Sequence, residues 1–182
     1  ILDPRGAKLF VQGAVPKLVG QEGQFGFTEG PVWVPSKSAW IFSDIPNARQ
    51  YEYSPGADIL TDYRNPSGNS NGNFLSNDGE LLTCEHANRL LSSTDFTSGV
   101  RTTLAKEYNG VELTSPNDVI QSRKTGHIYF TDPVSRAGST TPPSRWQATP
   151  IFEMQQADVS VSPDRMLLGL RHHAGSWTRP AT

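Results

Sequence analysis

The feature that most restricts how this 182-residue chain can fold is a weak internal repeat. Glu29-Gly-Pro-Val-Trp33, Asn71-Gly-Asn-Phe-Leu75 and Asn117-Asp-Val-Ile-Gln121 each set an oxygen-bearing polar residue just before a short strand-like run. From 29 to 71 is 42 residues, and from 71 to 117 is 46. After a turn, each unit has a second apolar run that closes on an acid: Trp40-Ile-Phe-Ser-Asp44, Leu81-Leu-Thr-Cys-Glu85 and Ile128-Tyr-Phe-Thr-Asp132. The leading residue and the closing acid are 15, 14 and 15 positions apart. A third run follows: Gln50-Tyr-Glu-Tyr53 after Asn47-Ala-Arg49, Leu90-Leu-Ser-Ser93 after Ala87-Asn-Arg89, and Ile151-Phe-Glu-Met154 in the third unit.

A period in the forties made only of short strands and turns is the pattern of β-propeller blades. Ser54-Pro-Gly56, Asn77-Asp-Gly79 and Thr97-Ser-Gly99 supply hairpin-turn chemistry between the runs. Helical periodicity never lasts beyond a turn or two. The expected fold is all-β: about three blades of four-stranded antiparallel sheet within residues 1–164. Propellers close with about four to eight blades, so three leave an open arc with exposed edges. From Arg165 to Thr182 the repeat pattern is lost, and 165–182 reads as an atypical tail, from truncation or a shifted reading frame.

Composition narrows the function. Sixteen Lys and Arg against eighteen Asp and Glu leave a formal net charge of −2, with no basic run interleaved with aromatics, so a nucleic-acid partner has no support. No stretch reaches the length of a membrane span. An apolar share of 35% beside 16 Gly and 14 Pro agrees with many turns, while four Trp, five Tyr and eight Phe provide a core. The single Cys, Cys84, excludes an intrachain disulfide and leaves the compartment open; it reads as a small buried apolar residue.

The first strand of a propeller blade lines the central channel, so Glu29, Asn71 and Asn117 are expected to converge. A carboxylate and amide oxygens from separate blades make a hard, oxygen-only cation site, which suits calcium better than softer metals. Asp44 and Asp132 read as structural hydrogen-bond acceptors for nearby turns. There is no nucleophile-elbow serine, phosphate-binding glycine loop or zinc-spaced cluster.

Six motifs, in order over about residues 25 to 135, carry a resemblance. They are Phe27-Thr-Glu-Gly-Pro-Val-Trp33, Phe42-Ser-Asp-Ile-Pro46, Asn65-Pro-Ser67 with Asn71-Gly72, Cys84-Glu-His86, Ser115-Pro-Asn-Asp-Val119 and Tyr129-Phe-Thr-Asp-Pro133. Together they resemble the gluconolactonase, senescence-marker-protein (regucalcin) and luciferin-regenerating-enzyme family. The resemblance implies a six-bladed propeller with calcium or another divalent cation at the channel mouth, hydrolysing a sugar lactone or another ester. By position, Glu29 is similar to the metal carboxylate and Asn117 to the channel asparagine that meets metal or substrate. Asn71 and Asn117 are the substrate-binding candidates.

The resemblance also places Cys84-Glu-His86 at the border of the substrate pocket, which makes Glu85 and His86 the catalytic candidates. His86 is suited to act as base or oxyanion partner, or else to hydrogen-bond a neighbouring blade. Strand alternation sends Glu85 and His86 to opposite faces unless a bulge intervenes, so one of them is expected to meet substrate. The family's later Arg-Pro-Asn-Gly segment has only a weak echo, Thr178-Arg-Pro-Ala-Thr182, with Ala181 in the asparagine's place. A catalytic lactonase, a truncated inactive relative and a non-catalytic propeller scaffold are the three functional readings that follow.

Overall fold

Alternating apolar and polar residues between tight turns fold into antiparallel meanders, because each turn returns the chain beside the strand it has just left. The computed structural model describes residues 13–133, 151–154 and 170–173. Blade one is β1 (Thr28–Val34), β2 (Ala39–Asp44), β3 (Arg49–Ser54) and β4 (Ile59–Arg64), paired in chain order. Blade two repeats this with β5 (Ser70–Leu75), β6 (Leu81–Glu85), β7 (Leu90–Thr94) and β8 (Arg101–Ala105). A two-stranded ribbon, β9 (Glu107–Tyr108) and β10 (Val111–Glu112), leads into blade three. That blade comprises β11 (Val119–Gln121), β12 (Ile128–Thr131), β13 (Ile151–Met154) and β14 (Leu170–His173).

The all-β reading and the three repeated units therefore hold, and two details differ. β14 lies inside the stretch set apart as 165–182, yet it pairs antiparallel with β13, Ile151 opposite His173 through Met154 opposite Leu170. A four-residue edge strand needs only one ladder to hold it, so its sequence carries little signal. The Thr178–Thr182 echo lies outside the described residues. The second difference concerns the turn between second and third strands. Reading Asn47-Ala-Arg49 against Ala87-Asn-Arg89 aligns the arginines, whereas the structure aligns Asn47 with Asn88. Each lies three residues after its closing acid and donates its side-chain amide to it, at 2.7 Å to Asp44 and 2.5 Å to Glu85. Ala48 and Arg89 then share the left-handed conformation that completes the turn (φ 50° in both).

Two apolar cores lie between the blades. Val34 and Ile41 of blade one meet Leu81 of blade two, flanked by Val32, Tyr63, Leu75 and Phe96. A larger core joins Leu82, Cys84, Leu91 and Ala105 of blade two to Leu113, Val119, Ile128, Phe130 and Met154. Phe130 is 1% exposed and Leu91 is fully buried. Each such side chain contributes about 1.5–3 kcal/mol by leaving water. Leu91→Ala is expected to cost about 3 kcal/mol in urea unfolding, through lost transfer energy and a cavity. Ile120→Ala, at a site 54% exposed, is expected to stay within about 0.5 kcal/mol of the parent chain.

Candidate functional site

The leading residues of the three blades meet through their backbones. β1 and β5 both lose register just where those residues lie, between Glu29 and Val32 and between Ser70 and Asn73. Gly30 sits in the first bulge at φ 56°, and a Cβ there would overlap the Asn71 carbonyl oxygen. In the second bulge a Cβ on Gly72 would lie 2.7 Å from the Asn117 carbonyl oxygen. The Gly72 N–H donates to that same oxygen at 2.7 Å. Only glycine permits both approaches. Glu29 is thus one residue from the contact to Asn71, and Asn71 one residue from the contact to Asn117. In blade three Asp118 stands in the glycine's place, its carboxylate accepting the Val119 N–H at 2.9 Å.

The bulges remove ladder partners from the Gly30 and Asn71 carbonyls, and one buried side chain replaces them. The Asn73 amide nitrogen donates to Gly30 O (2.9 Å), Ser43 Oγ (2.9 Å) and Asn71 O (3.1 Å). Its oxygen accepts from Gln50 Nε2 (2.7 Å) and Thr83 Oγ1 (3.0 Å). Ser43 Oγ adds a second donor to Asn71 O at 2.8 Å. Sequence reasoning passes over Asn73 because it seeks leading residues, and Asn73 lies two positions later. A run of polar residues where a strand should turn apolar residues inward was the available signal.

The three closing acids are structural to different degrees. Asp44 accepts the N–H groups of Gly26 and Phe27 (3.1 Å each to Oδ1) as well as Asn47. Asp132 accepts those of Thr114 (2.8 Å) and Ser115 (2.6 Å). Each carboxylate fixes the segment just before its blade's leading residue, in the capping role expected. Glu85, longer by one methylene, has a different set of partners. Arg101 reaches both its oxygens (2.7 and 2.6 Å), Arg64 reaches one at 3.1 Å, and Ser92 Oγ donates at 2.7 Å.

The Glu85 side chain has no exposed surface. Burial alone would push its carboxyl up; hydrogen bonds from Arg101, Asn88 and Ser92 and the charge of Arg64 outweigh it and hold the group below its ordinary 4.5. Of the two catalytic candidates, then, Glu85 is enclosed in an ion-paired cage that links β4, β6 and β8. His86 lies just beyond β6, half-buried, with Nε2 3.1 Å from the Asn71 side-chain amide nitrogen. Burial pulls its imidazole below the usual value against the opposing charge of Asp132. Cys84 lies in the larger core, where burial raises its thiol far above the ordinary range and away from reactivity.

Among the described residues, the exposed Glu29 carboxylate and the half-buried Asn117 carboxamide have no hydrogen-bond or ion-pair partner. No group of three or more His, Cys, Asp or Glu is gathered to hold a metal among those residues. An ion at Glu29 would draw its other ligands from amide and carbonyl oxygens. That donor set fits a hard divalent cation such as calcium, and a thiolate- or imidazole-seeking metal poorly.

Residues 27–162 match the model of the SMP-30/Gluconolactonase/LRE-like region. The chain belongs to this family. Within the SMP-30/gluconolactonase family, the gluconolactonase of Zymomonas mobilis is 31% identical over 120 residues, which are 59% of this chain and 33% of that protein. A solved structure of a gluconolactonase-family protein superposes with a TM-score of 0.71 at 31% identity, covering 84% of this chain and 52% of the other. A gluconolactonase from Xanthomonas campestris gives 0.61 at 26% identity, covering 71% and 44%. This family member thus spans about half the length of those structures and a third of the curated relative. Virginiamycin B lyase from Staphylococcus aureus shares the propeller fold at 11% identity and a TM-score of 0.53.

Replacing Glu85 by Gln unpairs two arginines and is expected to cost about 3 kcal/mol in chemical unfolding at pH 7. Because the folded carboxyl titrates below its ordinary 4.5, the unfolded chain takes up the proton first. The difference between parent and variant should therefore be full above pH 4.5 and shrink as pH falls through the folded-state value.

Proposed function

We propose that this chain contributes Glu29 and Asn117 as oxygen ligands to a calcium-type cation site. In this reading Asn71 and Asn117 contact a sugar-lactone substrate, and His86 is the base in its hydrolysis. The observation that carries the proposal is a contrast within one backbone-linked set. Asp44, Glu85, Asp132 and Asn73 are saturated by protein partners, while Glu29 and Asn117 are left to other ligands. Membership of a family whose relatives are named gluconolactonases supports the reaction class.

When bound, the cation would supply positive charge toward the oxygen that becomes anionic as the lactone carbonyl is attacked. The chain's own residues do the rest. His86 is held neutral by burial, so it is in the proton-accepting form at neutral pH. Asn71 Nδ2 donates to His86 Nε2 at 3.1 Å, which puts the ring proton on Nδ1. In this reading Nε2 is the basic nitrogen, and it takes a proton from an attacking water once the Asn71 amide turns to the substrate. Glu85 takes no part in proton transfer and instead secures the strand end from which His86 emerges.

Calcium should raise the melting temperature of the chain and a chelator should reverse the rise. A hundredfold excess over Kd corresponds to about 2.7 kcal/mol. Glu29→Gln should abolish the shift, and His86→Ala should preserve it while lowering sugar-lactone turnover about a hundredfold. A melt indifferent to calcium, or a full shift in the Glu29 variant, would remove the cation assignment. Calcium binding without any turnover would leave a site that binds and does not catalyse.

A further inference from the structure

We propose that Asn73 is the positioning residue that fixes Glu29 relative to Asn71, an inference whose functional consequence rests on the site reading above. Three observations carry it. Both bulges release carbonyls from the strand ladder at the positions that adjoin or belong to the site residues. The Asn73 amide nitrogen donates to both of these carbonyls, one on each blade, at 2.9 and 3.1 Å. Its own orientation is locked from the far side by Gln50 and Thr83, with the residue only 6% exposed.

The chemistry requires an amide at this position. The nitrogen is surrounded by three oxygens, and the oxygen faces two donor groups, Gln50 Nε2 and Thr83 Oγ1. A carboxylate would set negative charge against the Gly30 and Asn71 carbonyls, and a hydroxyl could not make five bonds. Asn73 touches neither cation nor substrate. It acts through the backbone of residues 30 and 71, so its loss should loosen the spacing of the ligands while the apolar cores between the blades stay intact.

The test compares Asn73→Ala with Thr83→Val, which removes two bonds from the same network, one to Asn73 and one from Gln50, but none to Gly30 or Asn71. In calcium titration by calorimetry, Asn73→Ala should weaken affinity at least tenfold and Thr83→Val by less than twofold. An Asn73→Ala affinity within twofold of the parent overturns the proposal. If Asn73→Ala fails to fold, Ser43→Ala, which removes the second donor to Asn71 O, should weaken affinity severalfold, and parental affinity there overturns it equally. If the parent chain itself takes up no calcium, the cation reading fails, and positioning is judged by hydrogen exchange without added metal. Faster exchange in the Asn73 variant confined to residues 28–32 and 70–73 supports it, and uniform or unchanged exchange overturns it.

Discussion

Two carbonyl oxygens, those of Asn71 and Asn117, occupy the space where Gly30 and Gly72 would otherwise carry side chains. Everything else in the arc is arranged around that close approach. It requires a bulge in each first strand, and each bulge breaks the regular ladder. The breaks leave buried carbonyls that must find other donors, because an unmade hydrogen bond in the interior costs about 1–3 kcal/mol. Ser43, Gln50, Asn73 and Thr83 are the response, a polar cluster within the interface between blades one and two. The apolar contact between those blades is correspondingly small, while blades two and three share the larger core.

The division of labour among polar residues follows from the same constraint. Side chains that hold the turns and bulges are saturated and buried, and their charges or dipoles are directed at the protein. Glu85 is the extreme case, a fully enclosed carboxylate that draws in two arginines from different blades. At the leading positions the backbones are held, and the side chains of Glu29 and Asn117 are spared while that of Asn71 meets His86. A cation site built this way would be rigid in its backbone and selective through oxygen ligands, without a cluster of acids that would repel one another in its absence.

Family membership and geometry bear on different questions. The family match covers most of the chain and accounts for the blade pattern, and the solved relatives share the arrangement at TM-scores of 0.71 and 0.61. Because the chain spans roughly half of those structures, the likeness extends to that share of their length. What the chain does contain is a linked set, Glu29, Asn71, His86 and Asn117, held by contacts that stay within or between neighbouring blades.

The sequence by itself determined the repeat, and through it the strand order, the hairpin turns and the identity of the leading and closing residues. These are local properties, set by alternation, turn chemistry and spacing, so a single chain displays them. It also read Asp44 and Asp132 as structural acceptors, and the backbone N–H groups they accept lie 17 and 18 residues earlier. Tertiary structure alone showed that Glu85 is enclosed, since the guanidinium groups of Arg64 and Arg101 reach it from 21 and 16 residues away. It alone revealed Asn73, whose partners come from four other strands in two blades. It also placed β14 in a segment whose sequence gives no strand pattern. For Glu85 and Asn73 the deciding energy is desolvation repaid by a partner distant along the chain, and such a partner has no signature at the residue it satisfies.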